Sequence, residues 1–129
     1  MREIKFRGKR LDNGEWITGD LIRISGYTFI FPDPAPNGID RYMVDPATVG
    51  QYTGLKDKKD KEIYEGDILR VTLDFSEELV NREVYYLEDG FCIHIDDETD
   101  IQRIVYAVYA RDAEVIGNIH DNPELLKTK

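Results

Sequence analysis

The side chains able to do chemistry are few and scattered. The chain holds two histidines, His94 and His120, and one cysteine, Cys92. A metal centre needs several His, Cys, Asp or Glu ligands converging at recognisable spacing, and neither HxxxH nor CxxC occurs. Cys92 and His94 would lie about 7 Å apart on one side of an extended strand, the minimum arrangement for a thiol nucleophile and its base, and a solvent-facing strand pair is the simpler reading. The acid pairs Glu77-Glu78 and Asp96-Asp97 are sequence neighbours, which marks loops rather than an opposed general acid and base. No catalytic residue, metal ligand or cofactor is assigned, and the chain reads as a non-enzyme.

Phosphate chemistry fares no better. In TVGQYTGLKDKKDKEIYEGDIL (48–69) the glycines Gly50 and Gly54 are followed by Leu-Lys-Asp, with no helix start and no GxxxxGK, and GxGxxG is absent. The same stretch reads well as structure. Gly50 and Gly54 allow a tight turn around Gln51, Tyr52 and Thr53. Asp57, Lys58, Lys59 and Asp60 form the polar tip of an exposed hairpin between Leu55 and Ile63, and Glu62 to Asp67 leads into a strand at Ile68.

Elements with period two dominate elsewhere. Ile4 and Phe6 alternate with Lys5 and Arg7, Asp12-Asn13-Gly14 turns the chain, and Trp16-Ile17-Thr18 returns it, with the large apolar Trp16 expected to be mostly buried. Tyr27 to Phe31 is a short strand ended by Pro32, and Pro32 to Gly38 is an exposed loop. Leu69, Val71, Leu73 and Phe75 alternate with polar residues as the clearest strand in the chain. Val84–Leu87 and Phe91–Ile95 flank Glu88-Asp89-Gly90 as a second hairpin, with Phe91, Ile93 and Ile95 facing away from Cys92 and His94. Glu114–Ile116 is a last strand stopped by Gly117, and Asn122-Pro123-Glu124-Leu125-Leu126 is one helical turn. Residues 99–110 match a helical stripe and a strand composition equally.

Composition bounds the class. The 129 residues are 41% hydrophobic, which excludes a disordered chain. A lone cysteine makes no intramolecular disulfide, MREIKFRGKR has no apolar stretch behind its charges, and no window supports a membrane span, so a cytoplasmic protein is expected. The net charge of −9 opposes binding to a phosphate backbone. Positive charge gathers only in residues 2–10 and in Lys56–Lys61, and Asp96 to Asp100 is acidic.

The segments IKFRGKRLDNGEWITGDLI, TVGQYTGLKDKKDKEIYEGDIL and EVIGNIHDNPELL together resemble the YopX family of small bacteriophage and prophage proteins. The resemblance spans both ends and the middle. It implies a mainly β chain: a hairpin-rich N-terminal part over 1–47 with a Pro/Gly-rich loop, then a small SH3-like barrel or roll over 48–129, with one or two short helical turns. It also implies an oligomeric assembly, in keeping with strand edges that pairing between identical subunits would cover, and it supplies no catalytic residue. The family commonly places a glycine where this chain has Lys59-Asp60, so that turn is expected to change type or length.

The function class expected is a non-enzymatic phage accessory protein, a homo-oligomer acting on a host or phage protein through exposed edges or aromatic patches. The alternative is a module for single-stranded nucleic acid that stacks bases on Trp16, Tyr52 and Tyr64 beside the Lys56–Lys61 loop; a small enzyme ranks third, since the polar cleft it would need is not announced by the sequence. The candidate interaction surface is therefore Trp16, Tyr52, Lys56, Lys58, Lys59 and Tyr64.

Overall fold

The computed structural model describes residues 3–32, 40–72, 79–87, 90–94, 101–103 and 113–127. They fall into two compact units, residues 1–52 and 53–129. Both are β: twelve strands and two short 3-10 turns are seen among the described residues, and the strand pairs are antiparallel.

The first unit is a meander. Strands β1 (Phe6–Lys9), β2 (Trp16–Ile24), β3 (Tyr27–Pro32), β4 (Tyr42–Met43) and the start of β5 (Gly50–Lys56) lie in the order β4-β3-β2-β1-β5. The hairpin expected at Asp12-Asn13-Gly14 is present: Lys9 faces Trp16, Arg10 N donates to Glu15 O at 2.9 Å, and Asn13 Oδ1 accepts from Glu15 N. A second two-residue turn, Ser25-Gly26, closes β2 onto β3 with φ of 51° and 85°. Positive φ at both central residues matches the right-handed twist of the flanking strands. One face of this sheet is packed, with Ile30, Val44 and Thr28 buried.

Gly19 sits in the middle of this sheet for a steric reason. A Cβ there would lie 2.0 Å from the Phe31 carbonyl oxygen, and its φ is +155°. Only a residue without a side chain lets β3 approach so closely. Asp45 caps the 3-10 turn Pro46–Thr48 by accepting from Ala47 N, and Thr48 Oγ1 accepts from Lys9 N at 2.9 Å, which ties the turn to β1.

The second unit contains the end of β5, then β6 (Glu62–Tyr64), β7 (Asp67–Thr72), β8 (Leu79–Glu83), β9 (Tyr85–Leu87), β10 (Gly90–His94), β11 (Ile101–Arg103) and β12 (Glu114–Asn118). β6 lies beside β5, and two three-stranded sheets run β12-β7-β8 and β11-β10-β9. Their core is Ile63, Leu69, Val71, Val84, Phe91, Ile93, Ala113 and Val115. On β7 the expected alternation is visible at Leu69, exposed Arg70 and Val71. Asn81 on β8 is buried and its amide donates to Leu125 O at 2.9 Å, which anchors the C-terminal 3-10 turn Pro123–Lys127.

Several local expectations are corrected. Gly50 to Lys56 is one continuous strand rather than a tight turn around Gln51–Thr53, because Gln51 and Gly50 pair with Phe6 and Arg7. Gly117 does not stop the last strand: after a bulge between Val115 and Gly117, pairing with β7 resumes with Gly117 opposite Ile68 and Asn118 opposite Asp67. Cys92 does not face solvent, since it is fully buried between Phe91 and Ile93 on a strand covered on both sides at that point. Trp16 is half-buried rather than mostly buried. Of the ambiguous 99–110, Ile101–Arg103 is a strand paired with β10. The rest of that segment lies outside the described residues, as do Leu73, Phe75, Glu88-Asp89, Ile95 and the loop 33–38.

Gly19→Ala is expected to lower stability by more than about 1 kcal/mol in chemical denaturation, because β2 and β3 must separate to admit a methyl group. An alanine variant as stable as the parent chain would contradict this packing.

Candidate interaction surface

The polar tip after β5 is built around one carboxylate. Asp57 is only 7% exposed, although it opens a turn of four charged residues. Its Oδ1 accepts from Lys59 N at 2.8 Å and Lys61 N at 2.9 Å. Its Oδ2 accepts from Val115 N on β12 at 2.8 Å. The first bond is an Asx turn, a local consequence of Asp at the start of a reversal. The last joins residues far apart in sequence.

Backbone pairing reinforces the joint. Asp57 N donates to Lys61 O, Asp60 N to Asp57 O, and Lys58 N to Ala113 O at 3.1 Å. Outside these bonds Glu114 receives two lysines, with Lys59 Nζ at 2.9 Å and Lys58 Nζ at 3.8 Å. That pairing lowers the Glu114 pKa and raises that of Lys59. Burial pushes the Asp57 carboxyl toward its neutral form, but the N–H groups of Val115, Lys61 and Lys59 outweigh it and hold the pKa below the ordinary aspartate value.

The turn places Asp60 at φ 67°. This is the left-handed conformation that glycine adopts without strain, and aspartate is among the few other residues that tolerate it.

The predicted surface residues separate into distinct environments. Lys58 and Lys59 converge on Glu114, while Lys56 is exposed with its Nζ 3.8 Å from Asp60. Tyr64 is 4% exposed and its hydroxyl bonds Glu62 at 3.0 Å, so its ring offers no stacking face beside the lysines. In the first unit Tyr52 is buried with Lys5 Nζ 5.0 Å from its ring centre. Trp16 carries Arg7 at 4.7 Å and Lys9 at 5.6 Å. These cations occupy aromatic faces that a base would need.

Sequence reasoning passed over Asp57 as an anchor and β1 as a cationic row. Asp at a turn start signals the first; Lys5, Arg7 and Lys9 at alternate positions signal the second. Two other buried polar groups serve the backbone: Asp67 Oδ2 accepts from Tyr64 N at 2.7 Å, and Thr53 Oγ1 donates to Ile63 O at 2.8 Å. Among the described residues no group of three or more His, Cys, Asp or Glu is placed to hold a metal ion. No helix among them is long and apolar enough to cross a membrane.

The family model for YopX protein matches residues 5–127, nearly the whole chain. The chain belongs to the YopX family. Its structure is similar to the crystal structure of protein EF1440 from Enterococcus faecalis, with a TM-score of 0.57 and 26% sequence identity over 98% of this chain and 99% of that one. No curated protein matches significantly. YopX membership fits a β meander followed by a second β unit in which the DKKD turn is joined to the EVIGN strand, two of the segments that carry the resemblance.

Asp57→Asn is expected to destabilise the protein by about 2–3 kcal/mol at neutral pH, because an amide presents one acceptor and turns a donor toward one set of N–H groups. A carboxylate with a lowered folded-state pKa stabilises above its unfolded pKa and loses that contribution as pH falls through the folded value. The difference between parent and variant should therefore be full above about pH 4 and shrink at more acid pH, as read by thermal melts across pH. At Asp60, glycine should be accepted with little change, whereas Asp60→Val should cost about 1–2 kcal/mol by forcing a β-branched residue to positive φ. Equal melting temperatures for the two Asp60 variants would refute the assigned turn.

Proposed function

We propose that this YopX protein is a non-enzymatic phage or prophage accessory protein that works in the bacterial cytoplasm as a homo-oligomer and acts by binding another protein. The observation that carries the reading is the use made of its buried carboxylates. Asp57 and Asp67, the two acids withdrawn from solvent among the described residues, accept backbone N–H groups and hold turns. Such groups are spent on architecture, whereas an acid–base catalyst must present its carboxyl to a reacting atom. The surface supports association instead, since Ile22, Ile24, Tyr27 and Leu79 expose large apolar area.

Light scattering at micromolar concentration tests the assembly: a mass several times the 15.0 kDa chain is expected, and a constant single-chain mass on concentration would overturn it. Cross-linking of the tagged protein in bacterial lysate, followed by reconstitution from purified components, tests the interaction. A saturable one-to-one stoichiometry per chain with one protein is expected; turnover of a small molecule by the purified chain would overturn the reading.

A further inference from the structure

On the side of the first sheet opposite the buried Ile30 and Thr28, register orders the side chains into cross-strand rows, because paired residues share a side. Asp20 lies beside Phe31, Ile22 beside Phe29, Phe29 beside Met43, and Ile24 beside Tyr27. Arg41, two residues before Met43, continues the Asp20–Phe31 row on this side, and its guanidinium lies 5.3 Å from the centre of the Phe29 ring. Ile22, Ile24, Tyr27 and Met43 are 41%, 47%, 55% and 37% exposed. An apolar patch on three neighbouring strands is therefore bounded by a row that carries an acid on one flank and a base on the other. Adjacent strands are about 4.8 Å apart, so the Asp20 and Arg41 backbones are separated by roughly 10 Å with β3 midway between them. Both residues are exposed, and neither has an ion-pair partner among the described residues.

A patch with this pattern is complementary to itself. A two-fold axis lying between two stacked sheets and running nearly along β3 exchanges the flanks and keeps each row in place. Asp20 of one copy then faces Arg41 of the other, twice, and Ile22 faces Met43. Aligned sheets stack about 10 Å apart, a gap that an aspartate and an arginine reaching from opposite sides can span. An axis across the strands would reverse the rows and leave both charges without a partner. One acid and one base give the patch no net sign with which to select a polyanion or an acidic segment. The β1 cations on the same side take no part, since Arg7 and Lys9 lie against the Trp16 ring and Lys5 pairs with Glu3. Residues 1–52 carry seven Lys and Arg and seven Asp and Glu, leaving ten basic and nineteen acidic residues in 53–129, so the whole net charge of −9 lies in the second unit. Like charge opposes the approach of two second units, and the neutral first unit is where copies can meet. The patch covers roughly 400 Å², within the range that marks association sites and about half of what each partner buries in a standard complex.

We infer that the Asp20–Phe31–Arg41 row and the apolar rows next to it form a two-fold contact between copies of this chain. The inference rests on the homo-oligomer reading above and assigns its surface. Ile22, Ile24, Tyr27 and Met43 supply most of the association free energy by leaving water. The two exchanged ion pairs set the orientation, because pairs at a rim add little affinity but penalise arrangements that bring like charges together.

Sedimentation velocity of the full chain at micromolar concentrations tests this. D20R sets cation against cation across the axis and R41D sets anion against anion, so each variant alone should sediment with at most half the mass of the parent assembly at equal concentration. Mixing the two in equal amounts pairs every cation with an anion across the axis and should restore the parent mass. Neither a misfolded variant nor an effect within one chain gives that recovery. I22S/I24S should halve the mass as well. Single variants that assemble like the parent, or a mixture that stays at the mass of its components, would overturn the proposal. A parent assembly that survives all these replacements leaves the homo-oligomer reading standing with its contact elsewhere, whereas a parent that stays at the 15.0 kDa of one chain removes both. Loss of binding to a reconstituted partner protein or to a dT12 oligonucleotide on I22S/I24S, with self-association unchanged, would assign the face to that ligand instead.

Discussion

The second unit hangs on a carboxylate that accepts three backbone N–H groups. Asp57 shapes its own turn through Lys59 and Lys61 and grips β12 through Val115. Without it those three donors would face a buried site with no acceptor, a costlier state than the loss of a solvent-exposed ion pair. The bond to Val115 also sets where β12 enters its sheet. Once Val115 is held, Leu69 lies opposite it, and the bulge before Gly117 shifts the register so that Asn118 meets Asp67. Asp67 in turn holds the Tyr64 N–H, so the turn between β6 and β7 is fixed at the far end of the same pair.

The lysines around this joint are subordinate to it. Lys58 and Lys59 pair with Glu114 because Lys58 N and Val115 N have already brought the two segments together. Their side chains are largely in water, where such pairs add little to stability. The ordering matters because a cluster of lysines on a hairpin tip invites a functional reading, and here the backbone accounts for its position.

The sequence made legible what depends on near neighbours. The turn at Asp12-Asn13-Gly14, the alternation through Leu69 and Val71, and the proline-led turn at Pro123 each follow from residues within a few positions. What it concealed depends on distant partners. Gly50 to Gly54 looked like punctuation because the pairing with Phe6 and Arg7 that straightens it lies over forty residues away. Cys92 looked solvent-facing because strict alternation describes a sheet covered on one side, whereas β10 is covered on both at that residue. Tyr52 and Tyr64 were indistinguishable from surface aromatics until the packing around them was known. Of the candidate surface, the lysines at the tip were legible as exposed, while the distribution of cations over Trp16 and Tyr52 required the sheet.

Charge at the tip illustrates why composition is a weak guide to partners. Lys56–Lys61 holds four lysines and two aspartates. Asp57 is directed inward to N–H groups and so does not offset the lysines at the surface. Glu114 arrives from β12 and receives two of them, and Asp60 lies within ion-pair distance of Lys56. With Asp60 and Glu114 paired to three of the four ammonium groups, the tip gives up much of the positive field that its sequence suggests. Binding to a phosphate chain scales with the number of phosphates that cations neutralise, and Lys56, Lys58 and Lys59 would first have to exchange a carboxylate for a phosphate. The gain is then the small difference between two ion pairs in water, which disfavours this hairpin as a polyanion site even though it is the most lysine-rich stretch of the chain.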